Sequence, residues 1–208
     1  MPFLDVTLPE LIATVGYVGV FLMVFIESGI PIGLVLPLPG DTLLFSAGLL
    51  AAGGAFELAP LILTIVVAAI LGDSAGYWFG TNYGPKLFTK EDALFLNKRY
   101  LVKTETFYKK YGRFSLVIAR FVPVLRTLVP ITAGMGHMEY GTFLRYNIIG
   151  AVLWGLSLPL LGFYFGNLIP NIDTYLLPIL GAVVLVSCVL TWREFSKARQ
   201  EQKSMGGS

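Results

Sequence analysis

Residues Phe114–Gly136 read FSLVIARFVPVLRTLVPITAGMG, an apolar run interrupted by Pro123 and Pro130 and closed by Gly134 and Gly136. Each proline removes a backbone donor and clashes with the preceding turn, so the run is predicted to be two half-helices rather than one rod. The same reading applies to Gly29–Ala55, which holds Pro31, Pro37 and Pro39 among Gly29, Gly33, Gly40 and Gly48. Four further apolar blocks flank these two: Leu11–Ile26, Leu58–Phe79, Phe143–Phe165 and Tyr175–Trp192. The last three approach the ~20 residues that cross a bilayer core as a helix. The first, about 16 residues, spans only with local thinning or by borrowing its neighbours.

Composition makes the solvent of this chain lipid. Of 208 residues, 55% are hydrophobic and 13% are charged, with a mean hydropathy of +0.73. Soluble domains carry about 25% charged residues. Broken backbone at membrane depth survives only where protein or a water-filled cavity supplies hydrogen-bond partners. Both interrupted blocks are therefore expected to be re-entrant hairpins packed inside the protein.

Charge in the loops fixes the threading. Tyr83–Arg113 holds eight basic residues, and Arg193, Lys197, Arg199 and Lys203 follow the last apolar block. The positive-inside rule places both segments in the cytoplasm. Two full helices between them return the chain to the same side, so the Phe114 block must turn back, with its mouth on the cytoplasmic face. If the first helix spans and the Gly29 block also turns back, the N-terminus is cytoplasmic and that hairpin opens outward. Gly76-Tyr-Trp-Phe-Gly80 and Gly162-Phe-Tyr-Phe-Gly166, each ending the helix after a hairpin, read as a weak internal repeat or as ordinary interfacial aromatics. Inverted hairpin-plus-helix pairs are a recurring transporter plan. The fold expected is thus all-α and polytopic, with two inverted re-entrant helical hairpins and about four spanning helices. One integral domain covers 1–208, with its core at about 20–166, a spanning helix at about 175–192 and a basic tail at 193–208.

Ionisable residues inside this core carry the function. Glu27, Asp41, Arg120 and Arg126 lie within or beside the hairpins, and each would cost about 3 kcal/mol at the bilayer centre if it faced lipid. Asp41 follows Pro39-Gly40 and can cap a half-helix, or it can face a cavity. Arg120 and Arg126 flank Pro123, so the break lets both point into one cavity, where guanidinium forks suit phosphate or carboxylate oxygens. Salt bridges from the arginines to Glu27 and Asp41 are the structural alternative. Asp73, in Gly72-Asp-Ser-Ala-Gly76, is a secondary candidate whose position toward the cytoplasmic end favours a wetted structural role. Arg145 and Asn147 begin the next spanning helix at a depth where snorkelling is cheap. Pro31, Pro39, Gly40, Pro123, Pro130 and Gly134 are the hairpin-shaping residues. Thr104–Arg113 reads as an amphipathic helix on the anionic inner leaflet.

Other chemistries find little support. Cys188 and His137 are the sole cysteine and histidine, which leaves no disulfide framework, no metal site and no nucleophile–base pair for an enzyme. His137 is expected at an interfacial turn, with a proton relay as its alternative role. No Lys or Arg occurs in Met1–Glu10, so the basic n-region of a secretory signal is missing there. No cofactor, metal or nucleic-acid partner is expected.

Taken together, Phe25-Ile-Glu-Ser-Gly-Ile-Pro31, Leu38-Pro-Gly-Asp41, Gly72-Asp73 with Gly76-Tyr77, Lys110-Tyr-Gly112 and Ala119–Gly134 resemble the DedA family, whose domain is also called VTT. The resemblance implies a multi-pass protein of the bacterial inner membrane with two opposed re-entrant loops. It further implies return of undecaprenyl phosphate from the outer to the inner leaflet for cell-wall synthesis. Proton coupling and a need for an acidic and an arginine pair are also attributed to the family; by position these are Glu27, Asp41, Arg120 and Arg126. An extra Pro-containing stretch between Glu27 and Asp41 departs from some members. The partners implied are a lipid phosphate, membrane lipids and protons, with an oligomer left open. A proton- or cation-coupled small-solute transporter and a phospholipid scramblase are the rival readings.

Overall fold

The computed structural model describes residues 8–29, 40–87 and 110–168. Those residues form helices and no strand: α1 (Leu8–Gly29), α2 (Gly40–Ala52), α3 (Leu58–Leu87), α4 (Ser115–Ala119), α5 (Pro123–Met135) and α6 (Tyr140–Leu168), with a 3-10 turn at Gly112–Phe114 before α4. Pro31, Pro39, most of the amphipathic segment and the last apolar block lie outside the described residues.

Two helices, Leu58–Gly84 within α3 and the whole of α6, are long and apolar enough to cross a bilayer. Both run further than their apolar blocks in the sequence. Their added turns are rich in Tyr, Asn and Gly, which a hydropathy window discounts although their backbone stays helical. α1 likewise continues through Glu27 and Ser28 to Gly29, which corrects the short 16-residue span. Glu27 is tolerated there because it finds a counter-charge inside the protein. Large apolar side chains such as Leu63, Val67 and Leu71 on α3, and Ile149 and Leu153 on α6, stand exposed. Spaced by four residues, each set forms a stripe along its helix, as lipid contact requires.

The interrupted blocks break where their prolines allow. Val122 is extended, and Pro123 opens α5 at the first helical turn, a position where its missing N–H is no loss. Pro130 corrects an expectation: it lies inside α5 without ending the helix. It withholds only the N–H that would bond the Arg126 carbonyl one turn earlier. Of the first interrupted block the structure describes α2, which starts at Gly40, so that Asp41 lies inside the first turn rather than at the capping position expected of it. Both short helices end with the same hydrogen-bond pattern. Ala55 N–H reaches Leu50 and Gly54 N–H reaches Ala51, while Met138 N–H reaches Ala133 and His137 N–H reaches Gly134. Gly54 has φ +80° and His137 has φ +51°, so the exposed His137 fills the left-handed capping position usually given to glycine.

Packing between these elements is reciprocal. α2 packs most extensively on α6, and α3 on α5, whereas α2 and α3, adjacent in sequence, touch little. A Cβ on Gly48 would collide with the carbonyl oxygen of Pro159, and one on Gly162 with that of Phe45. On the other side, a Cβ on Gly80 would collide with the Ile131 carbonyl and one on Gly134 with that of Tyr77. Phe45 and Gly48 in α2 have the same spacing as Ile131 and Gly134 in α5. Each short helix therefore lies backbone-to-backbone on the long helix of the other half, as small-residue packing in lipid allows. Gly134, expected to shape a hairpin, serves this close approach.

Gly162→Ala is expected to destabilise the protein by about 1–3 kcal/mol, because a backbone carbonyl must move. Gly19 on α1 has nothing within 4 Å of its would-be Cβ, so Gly19→Ala should stabilise by about 0.5–1 kcal/mol. Thermal unfolding of both variants in detergent checks the pair, and equal effects would refute the close-contact account.

Candidate functional site

The first turns of α2 and α5 meet through side chains. Asp41 is the second residue of α2 and Arg126 the fourth of α5, and Arg126 Nη1 donates to Asp41 Oδ1 at 2.7 Å. Arg126 Nη2 donates to Glu27 Oε1 on α1. The fork thus holds one carboxylate on each prong. The Gly40 N–H bonds the Glu27 carboxylate, and a Cβ on Gly40 would collide with that carboxylate. Glycine is required here so that the acid can reach the α2 N-terminus, where a negative charge is favoured. Arg126 stands at the N-terminal end of its own helix, which disfavours a cation, so both anions also offset that local field.

The two carboxylates differ in how firmly they are held. The Glu27 side chain is 6% exposed, whereas that of Asp41 is 42% exposed. Asp41 is the accessible partner, and its departure would leave Arg126 with Glu27 still in place.

Arg120 lies elsewhere than expected. It bridges Asp73 Oδ2 at 2.5 Å through Nη2, and the same nitrogen donates to Asn147 Oδ1. It pairs with neither Glu27 nor Asp41. Asn147 Nδ2 in turn donates to the Ile70 carbonyl at 3.2 Å. Gly150 leaves room for this guanidinium, since a Cβ there would stand 3.0 Å from Arg120 Cδ. Arg120, Asp73 and Asn147 are all buried. The reading of Asp73 as wetted is corrected by the length of α3. With the helix running to Leu87, Asp73 lies fifteen residues after Leu58 and fourteen before Leu87, at mid-helix. Asn147 is corrected on the same ground: it faces inward while Arg145 stays exposed.

Trp154 joins the two ion-paired groups, and sequence reading passed over it. It sits at the centre of α6 and is 2% exposed. Its Nε1–H donates to Asp41 Oδ1 at 3.0 Å, and its ring centre lies 5.6 Å from the Arg126 guanidinium carbon and 6.0 Å from that of Arg120. Both distances suit cation–π attraction. The available signal was depth: a tryptophan in mid-span lies far from the interfacial belt where the residue is usually placed. With every group ionised, this cluster of Glu27, Asp41, Asp73, Arg120 and Arg126 carries three negative charges and two positive ones.

Comparison with known proteins now adds ancestry to this geometry. The family profile described as the VTT domain matches residues 37–164. The chain belongs to the DedA family of VTT-domain membrane proteins. Protein DedA of Escherichia coli K12 is 42% identical over 188 residues, covering 88% of this chain and 84% of that protein. An uncharacterized membrane protein of Mycobacterium leprae is 35% identical over 186 residues, covering 88% of this chain and 82% of its own length. A protein named undecaprenyl phosphate transporter A, from Staphylococcus aureus, is 29% identical over 175 residues, covering 80% and 84% respectively. No solved structure shows a significant match to the chain. The VTT match includes Asp41, Asp73, Arg120, Arg126, Asn147 and Trp154; Glu27 precedes it.

Removing one member of a buried ion pair leaves the other uncompensated, at a cost of about 3–5 kcal/mol. Asp73→Asn should therefore lose stability of that order, and Asp73→Leu combined with Arg120→Met should recover most of it. Asp41→Asn should cost distinctly less, because Arg126 keeps Glu27. Thermal unfolding of the three variants gives the ranking, and an Asp41→Asn loss as large as that of Asp73→Asn would contradict it.

Proposed function

We propose that this protein translocates a lipid phosphate across the bacterial inner membrane, with undecaprenyl phosphate returning from the outer to the inner leaflet. The observation that carries the reading is the Arg126 fork, one prong on buried Glu27 and the other on half-exposed Asp41. A phosphate oxygen can take the place of the Asp41 carboxylate because both offer the same planar fork an acceptor of the same charge sign. The N-terminus of α2 lies against the same acids and adds partial positive charge, as in other anion sites built at helix ends. The name of the Staphylococcus aureus relative supports this choice of substrate. A polyprenyl tail can stay in the bilayer, so the protein has only to shelter the head group.

Arg120 has a different task in this reading. Held by Asp73 and Asn147 through Nη2, with its buried Nε left without a hydrogen-bond partner, it braces α4 against α3 and α6 and sends its field toward the head group from behind Trp154. The two-arginine clamp becomes one binding arginine and one supporting arginine. Glu27 and Asp41 are the acids that would take protons as the phosphate enters, which couples transport to the proton gradient. No covalent step is involved.

The same proposal assigns the architecture. The two interrupted segments are re-entrant and enter from opposite faces; reciprocal packing of each short helix on the other half's long helix supports this. The whole chain is one integral domain with both termini in the cytoplasm. Cysteine scanning in a Cys188→Ser background, with an impermeant thiol reagent, checks the threading. Residues 30–38 should label from outside intact cells, and labelling of residue 98 from outside would reject it.

Reconstitution into proteoliposomes with a leaflet-specific assay for undecaprenyl phosphate tests the function. Arg126→Lys keeps the charge and loses the fork, so transport should fall by at least tenfold, about 1.4 kcal/mol or more. Ion flux without lipid phosphate would favour a small-solute transporter instead, and equal movement of phospholipids lacking a monoester phosphate would favour a scramblase.

A further inference from the structure

Resting on the lipid-phosphate reading, we infer that Trp154 is a direct ligand of the phosphate, supplying an uncharged hydrogen bond beside the Arg126 fork. Two donors converge on one atom: Arg126 Nη1 at 2.7 Å and Trp154 Nε1 at 3.0 Å both reach Asp41 Oδ1. That oxygen occupies the position an incoming anionic oxygen would take. Asp41 is the most exposed of the three acids in the cluster, so it is the group that can swing away.

When Asp41 leaves, the fates of its two donors differ. Arg126 retains Glu27 through its second nitrogen. Trp154 has a single N–H, is 2% exposed and is held by its neighbours in the helical core. An indole N–H left buried without an acceptor is costly. The group that displaces Asp41 must therefore present an acceptor to Trp154 as well as to Arg126. A phosphate monoester has several anionic acceptor oxygens, so it satisfies both donors and replaces the charge that Arg126 loses; a neutral alcohol offers an acceptor without that charge, and a cation offers none. The indole N–H thereby adds an acceptor requirement to the charge requirement that Arg126 sets. The ring face lies beside both guanidiniums, fixing where that N–H points. Trp154→Phe keeps an aromatic face and removes the donor.

Two measurements test this. In the first, purified protein is titrated with undecaprenyl phosphate, with undecaprenol as the neutral control and inorganic phosphate as a tail-less probe. Trp154→Phe should weaken binding of the phosphate lipid about tenfold, the scale of one lost hydrogen bond to a charged partner, and leave the weak binding of undecaprenol unchanged. Unchanged affinity in Trp154→Phe, with affinity lost in Arg126→Lys, overturns the inference while the lipid-phosphate reading stands. If the unaltered protein does not distinguish undecaprenyl phosphate from undecaprenol, the reading fails and the inference with it.

The second measurement leaves Trp154 intact, so a folding defect in the variant cannot decide the matter. Trp154 is one of three tryptophans; in Trp78→Phe/Trp192→Phe it is the sole indole. Its fluorescence should shift on adding undecaprenyl phosphate and stay fixed with undecaprenol. An equal shift with both lipids marks tail contact and overturns the inference. A shift with inorganic phosphate alone supports the N–H contact and assigns the site to the phosphate itself rather than to the lipid.

Discussion

A guanidinium cannot discharge itself to escape a low-dielectric interior, so Arg120 and Arg126 must be neutralised by placement. That requirement organises the core. α1 has to carry Glu27 past its apolar run, α2 has to begin at a glycine so that Glu27 can reach it, and α3 and α6 have to bring Asp73 and Asn147 to the same depth as Arg120. Five charges and two neutral donors then share a small volume between helices whose outer faces are apolar. The arrangement works only if the backbones come close, which explains the glycines at the helix contacts.

Much of this was legible beforehand, for identifiable reasons. Proline and glycine clusters marked both interrupted segments, because their backbone effects are local. Charges in an apolar run stood out for the same reason, and Glu27, Asp41 and Arg126 do meet. Partner choice was not legible. Six residues separate Arg120 from Arg126, and nothing in that spacing says that one turns toward α1 and α2 while the other turns toward α3 and α6. Asp73 was misjudged because the helix end was taken from hydropathy, which falls at Tyr and Asn even where the helix continues. Trp154 stands out in the sequence only by its depth in mid-span; what its single polar atom does is legible only once its neighbours are known. Pro130 was read as a break from a rule about interiors, yet one lost hydrogen bond is tolerable in a helix packed tightly along α3.

Reciprocal packing has a mechanical implication for the site. Because α2 packs on α6 and α5 on α3, a displacement of one pair against the other would change the distance between the first turns of α2 and α5. Arg126 and Asp41 sit in those two turns, so their ion pair bridges the two helix pairs. The Arg120–Asp73–Asn147 group spans both pairs and resists the same motion.

The order in which the ribosome delivers these pieces raises a problem of synthesis. Asp41 and Glu27 are made about 85 and 100 residues before Arg126, and α2 is made well before α6, on which it packs. At translation speeds of 5–20 residues per second, the acids wait roughly 4–20 s for their counter-charge. During that interval α1 has left the tunnel, and its partner charge does not yet exist. The two halves cannot be assembled in sequence, first one and then the other. An in-frame truncation before Arg126 would leave Glu27 and Asp41 without the guanidinium that pairs with both.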